Sequence, residues 1–255
     1  VESDSGDSTE SFNFLLASLG YTNNNDNSRN ANAIKMPALM STVSYYSQSG
    51  LWASANLLNY VKTSEKTYDV ELQLGFQKTL LESFDIDVFY SNRHFEGDLA
   101  YEGIDYNHSV SLSGAYRLKH FTVELDNEYM FGLKNNYFLD FNLSYDYSIV
   151  QIFSKLDNLV ISPMISASLG TTFWISDAMD HVWGMPGGSH HMGGFVPDNE
   201  FEYQRFSLIL PLMYSLGSFT ISGGWYYSIP SKALKEQNWS NQSGFLVSLI
   251  YSAIF

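Results

Sequence analysis

The chain has 255 residues, no cysteine and a formal net charge of −14. Its acidity excludes the basic footprint that phosphate neutralisation needs, so nucleic acid is not an expected partner, and the missing thiols exclude disulfides, thiolate catalysis and thiolate metal sites. Aromatic residues make up 16% of the chain and charged residues only 16%, which is little charge for a soluble surface. No run of about 18 apolar residues offers a transmembrane helix, so a bilayer could be spanned only by a closed barrel.

Residues 1–10 are acidic and Ser-rich without apolar periodicity, which predicts a disordered tail. The opening Val1-Glu2-Ser3-Asp4, without Met or a basic apolar leader, reads as the start of an exported product. Strands are then expected at 11–20, 36–46, 51–60, 68–79, 84–94, 106–117, 121–131, 137–147, 159–172, 203–214, 218–228 and 244–255. The connections at 47–50, 80–83, 118–120 and 215–217 are tight, whereas those at 21–35, 95–105, 173–202 and 229–243 are long and rich in Asn, Gly, Asp or Ser. Short turns alternating with long loops predict an all-β chain: a transmembrane antiparallel up-and-down β-barrel of about twelve strands, filling 11–255 as one domain. Connections 61–67 and 132–136 are short for outer loops, and 148–158 is long for a turn.

Apolar residues occupy one face of strand after strand: Tyr68, Val70, Leu72, Leu74 and Phe76; Phe84, Ile86, Val88 and Tyr90; Tyr137, Leu139, Phe141, Leu143 and Tyr145. The opposite faces carry Asp69, Glu71 and Gln73; Asp85 and Asp87; Asp140, Asn142 and Asp146. Side chains alternate along a strand, so apolar outside and charged inside is the inverse of a soluble barrel. The last segment puts Phe245, Val247, Leu249, Tyr251, Ala253 and Phe255 on one face and ends on the aromatic ring. That strand resembles the C-terminal strand of bacterial outer-membrane β-barrel proteins, a likeness to the class that extends over nearly the whole chain. It implies a barrel in outer-membrane lipid with N- and C-termini in the periplasm, and it implies that Phe255, with Tyr251, carries the signal read by the barrel assembly machinery.

Strand 121–131 adds Glu124, Asp126 and Glu128 to the lumen and turns Val123, Leu125 and Tyr129 to lipid. Hairpin arithmetic through 132–136 puts Glu128 near Asp140 and Asp126 near Asn142, and the neighbouring hairpins bring Arg93 to Asp69 and Arg117 to Asp85. With Arg205 as a third inward cation, carboxylates remain in excess. Such groups require water, so this wall is expected to be wet. The remaining wall carries small residues, Ser162, Ser166, Ser168, Gly170, Thr220, Ser222, Gly224, Ser248 and Ser252, with Trp52, Tyr226 and Arg205 filling part of the space. Two states of the lumen fit: a narrow passage attractive to cations, or a lumen closed by side chains and trapped water.

Loop 173–202 is longer than an ordinary structureless connection. Its Asp177, Asp180, His181, His190 and His191 are candidate divalent-metal ligands by donor type, at a spacing that matches no specific metal motif. Its Gly, Met and aromatic content suits contact with another envelope protein. Outer-membrane phospholipase A is a barrel of similar strand number, but that family needs a lipid-facing His and Ser two positions apart. In Asn107-His108-Ser109 they are adjacent and on opposite faces, so the likeness fails. Asp180-His181 is a formal echo of the omptin-like proteases. No cofactor is expected. The expected function is a non-enzymatic structural or accessory subunit of an envelope assembly; the alternatives are a narrow cation-preferring channel with an acidic lumen and an outer-membrane hydrolase or metal-binding barrel. Deleting Phe255 is expected to cut the folded, heat-modifiable fraction on a gel, and unchanged insertion would contradict its role in assembly.

Overall fold

The computed structural model describes residues 13–24, 37–61, 68–96, 106–132, 135–171, 201–236 and 239–255. The tail 1–10, loop residues 173–200 and with them Asp177, Asp180, His181, His190 and His191 lie outside the described residues.

Long period-two alternation produces long strands: β1 (Phe14–Thr22), β2 (Ala38–Tyr46), β3 (Leu51–Tyr60), β4 (Tyr68–Leu81), β5 (Phe84–Glu96), β6 (Tyr106–Leu118), β7 (Phe121–Gly132) and β8 (Asn136–Tyr145). The chain continues through β9 (Tyr147–Val150), β10 (Asp157–Ile161), β11 (Met164–Thr171), β12 (Phe201–Leu216), β13 (Phe219–Pro230) and β14 (Gln242–Ile254). Consecutive long strands pair antiparallel, β8 pairs β11, and β14 returns to β1 with Leu19 opposite Leu249. Twelve strands thereby close a barrel. β9 and β10 prolong β8 and β11 beyond breaks at Asp146 and Pro163 and make a projecting hairpin, with β10 also paired to the last residues of β12, from Leu212 to Leu216. The length of 148–158 is thus a hairpin tip. Buried Asp157 organises that tip by accepting the backbone N–H groups of Ile152 (2.7 Å), Phe153 (2.8 Å) and Ser154 (2.9 Å) and the Tyr214 hydroxyl (3.0 Å). Burial alone would raise its carboxyl; these four donors outweigh it and hold the group below the ordinary carboxylate value.

The tight turns and both ends of the strand set share one rim, called here the near rim; the longer connections leave from the far rim. At the near rim Gly50 adopts φ 91°, and a Cβ there would fall on the Gln77 carbonyl oxygen, so the β2–β3 turn can lie against β4 only with glycine. Its carbonyl accepts the Gln77 N–H at 2.9 Å. On the far side, the segment read as loop 229–243 contains a one-turn helix, Lys232–Glu236, capped by the Ser231 hydroxyl on the Leu234 N–H at 3.2 Å.

The solvent pattern is inside out. Among the described residues the buried side chains are chiefly Ser, Thr, Asn, Gln and Asp, whereas Leu72, Leu74, Val88, Leu112, Phe141, Leu210, Val247 and Leu249 are exposed on the outer face. Removing such a belt from water is what lipid does. Aromatic pairs flank the belt, including Phe121 with Tyr145 (5.0 Å) and Phe219 with Tyr251 (5.2 Å) at the near rim and Tyr137 with Phe201 (5.5 Å) at the far rim. Phe255 lies at the near rim, 6.2 Å from the Tyr45 ring, with its N–H donating to the Asn13 carbonyl at 3.0 Å.

Candidate functional site: the lumen

The register places Asp69 and Glu71 on β4, Asp85 and Asp87 on β5, Glu124, Asp126 and Glu128 on β7 and Asp140 on β8 along the inner face. Asp146 departs from this set: it is exposed at the β8–β9 break, where the strand bends, and its N–H donates to the His120 carbonyl at 2.7 Å. Arg93 pairs with Asp69, its Nε donating at 2.7 Å, and Arg117 pairs with Asp85, which also accepts from Thr79 at 2.6 Å. The first pair is deep: Asp69 is 1% exposed and its Oδ1 has no hydrogen-bond partner among the described residues.

The β7–β8 register differs from the arithmetic. Asp126 faces Asp140, Glu124 faces Asn142 and Glu128 faces Phe138. Met130 opposite Asn136 centres the hairpin on 133. Moving the centre by one residue moves every partner by two, which keeps each side chain on its face and changes whom it meets. Asn142 still reaches Asp126 diagonally, its Nδ2 donating at 2.7 Å, and Asp140 accepts from Ser168.

Other lumen features escape a strand-by-strand reading. A hydroxyl and amide chain runs from Ser44 to Ser54 (2.9 Å), Asn56 (3.4 Å) and Glu71 (3.4 Å), and Ser91 closes it on Glu71 at 2.7 Å. Trp52 Nε1 donates to Asp87 at 3.0 Å. A bulge between Ser168 and Leu169 makes Gln204 an extra buried residue, with Nε2 donating to the Gly170 carbonyl at 2.9 Å, and Glu202 then faces Gly170. No sequence signal marks a single-residue bulge of this kind.

The described residues line two lumen cavities. The far one, about 460 Å³, is bounded on one side by Asp69, Glu71, Asp126, Glu128 and Asp140 and on the other by Ser166, Ser168, Ser207 and Arg205. The near one, about 430 Å³, lies beneath the 47–50 turn against Asp85, Asp87, Arg117 and Glu124. Ser162 lies near the rim, where its N–H donates to the Pro211 carbonyl at 3.1 Å; Thr220, Ser222, Gly224, Ser248 and Ser252 carry the inward face of β13 and β14. Of the hydrolase candidates, His108 Nδ1 lies 2.6 Å from the Tyr90 hydroxyl while Ser109 is buried on the neighbouring face, so the two form no nucleophile and base pair.

Solved structures with the same architecture include porins. The KdgM porin, alone and in complex with disordered oligogalacturonate, superposes with a TM-score of 0.50 at 12% identity, covering 93% of this chain and 98% of that one. The NanC porin gives 0.48 at 10% identity, with 93% and 98% covered. No protein-family model and no curated protein sequence matches the chain. The chain has the twelve-stranded fold of an outer-membrane porin barrel.

Replacing Arg93 with Ala would leave Asp69 as a buried charge without its counterion, a loss of about 3–5 kcal/mol. Unfolding of the detergent-solubilised barrel in urea should show that loss for Arg93→Ala, with much of it recovered in the Asp69→Asn/Arg93→Met double variant.

Proposed function

We propose that the chain is a narrow, water-filled, cation-preferring channel of the bacterial outer membrane, with both barrel termini on the periplasmic side. The observation that carries this reading is the charge of the lumen: among the described residues Asp69, Glu71, Asp85, Asp87, Glu124, Asp126, Glu128 and Asp140 outnumber Arg93, Arg117 and Arg205, with Lys78 at the near cavity, around two polar cavities. Two of those arginines are spent on Asp69 and Asp85. The remaining negative field, focused between low-dielectric walls, raises the local concentration of cations and lowers that of anions.

The solutes that fit are small cations and slim neutral molecules able to bond with the serine wall. Oligogalacturonate, the ligand in the KdgM complex, is a polyanion, and a lumen of this sign disfavours such a chain of carboxylates. The accessory-subunit reading rests on the composition of loop 173–202 and on the lack of a substrate pocket legible in the sequence, whereas the channel reading rests on the described lumen and agrees with the porin-type fold; the channel is therefore preferred.

Purified barrel in planar bilayers under a salt gradient should show small currents with a cation-selective reversal potential. Asp126→Asn/Glu128→Gln should reduce the cation-to-anion permeability ratio about twofold or more. Anion selectivity of the unaltered chain, or a failure to conduct in any preparation, would contradict the proposal.

A further inference from the structure

The two cavities are not continuous around the whole wall. On β5 the near cavity touches Asp85 and Asp87 and the far cavity Ser91 and Arg93; the inward residue between them is Phe89. On β4 the near cavity reaches Gln77 and the far cavity Glu71, and the inward residues between are Gln73 and Gly75. Across that glycine lies the indole of Trp52: a Cβ at Gly75 would fall within 2.6 Å of Trp52 Nε1. Trp52 is 7% exposed and belongs to a row of inward rings, Phe14 to Tyr46 at 4.5 Å, Tyr46 to Trp52 at 6.1 Å and Trp52 to Phe89 at 5.4 Å. On β7, by contrast, no residue intervenes, since Glu124 lines the near cavity and the next inward residue, Asp126, lines the far one.

We propose that the Phe14, Tyr46, Trp52 and Phe89 row is the size-limiting constriction of the lumen and that Trp52 is its determining residue. This rests on the channel reading and adds to it the place and nature of the filter. On the β7 side a gap is left for passage between the rings and the Glu124 and Asp126 carboxylates. Rigidity comes from the wall: Gly75 provides the seat for the indole, and Asp87 holds its N–H at 3.0 Å from β5, two strands away. Electron-rich ring faces on one side and carboxylates on the other both favour a cation in transit, while the fixed rings exclude broad solutes. Selection by size and selection by charge therefore reside in different residues of one layer.

The test is single-channel conductance in planar bilayers of the full chain and its Trp52→Ala, Trp52→Phe and Gly75→Ala variants, each first shown to be folded by heat-modifiable mobility. Trp52→Ala should raise conductance about twofold or more with the sign of ion selectivity kept, and Trp52→Phe should stay near the parent. Gly75→Ala, which forces the indole off its seat into the lumen, should lower conductance. A conducting parent with Trp52→Ala unchanged would overturn the constriction and leave the channel reading standing. A silent parent opened by Trp52→Ala would overturn the channel reading and the filter with it, leaving Trp52 as the plug of a closed lumen. Silence in both would remove both proposals. Should Trp52→Ala fail to fold, unchanged conductance in Gly75→Ala would overturn the constriction by itself.

Discussion

In hydrocarbon a backbone N–H or C=O without a partner costs several kcal/mol, and water is not there to supply one. A sheet with two open edges therefore cannot sit in a bilayer, and the pairing of β14 with β1, from Ile254 opposite Phe14 to Leu246 opposite Thr22, is the contact on which the rest depends. Closure removes the edges. It also divides every strand into a face that must tolerate lipid and a face that must fill or wet a lumen, and this division organises the chemistry of the whole chain.

The lipid face is uniform because the solvent it meets is uniform: Leu, Val, Phe and Tyr in a belt with rings at its margins. The lumen is under no such demand, and it is uneven. Strands β4, β5, β7 and β8 concentrate carboxylates, β11 to β14 offer hydroxyls and glycines, and β1 to β3 with β5 contribute a row of rings. Three kinds of wall around one space give a solute charge, hydrogen bonding and shape to negotiate. Deep ion pairing at Asp69 and Arg93 holds structure at the edge of the far cavity, which carboxylates on β7 and β8 border as well.

Strand positions could be read from the sequence because period-two alternation persists for ten residues or more, too long to arise by chance on most segments. The Arg93–Asp69 and Arg117–Asp85 pairs followed from the same alternation, since each joins adjacent strands. What alternation does not encode is the number of residues left in a turn. The β7–β8 centre shifted by one, the bulge at Gln204 and the continuation of β8 into β9 across Asp146 are all of that kind. The Trp52–Asp87 bond was hidden for another reason: it joins β3 to β5 across Gly75 of β4, and hairpin arithmetic names only neighbours.

The central claim is that alternate residues of β7 face water inside the barrel and lipid outside. The chain has no cysteine, so single cysteines introduced along β7 in folded barrel reconstituted in liposomes report on their own surroundings. A small, water-soluble, positively charged thiol reagent should modify Glu124→Cys, Asp126→Cys and Glu128→Cys readily and leave Val123→Cys, Leu125→Cys and Tyr129→Cys largely unreacted. Equal protection of both sets would mean a dry, filled lumen, and preferential modification of the odd-numbered set would reverse the faces and contradict the account.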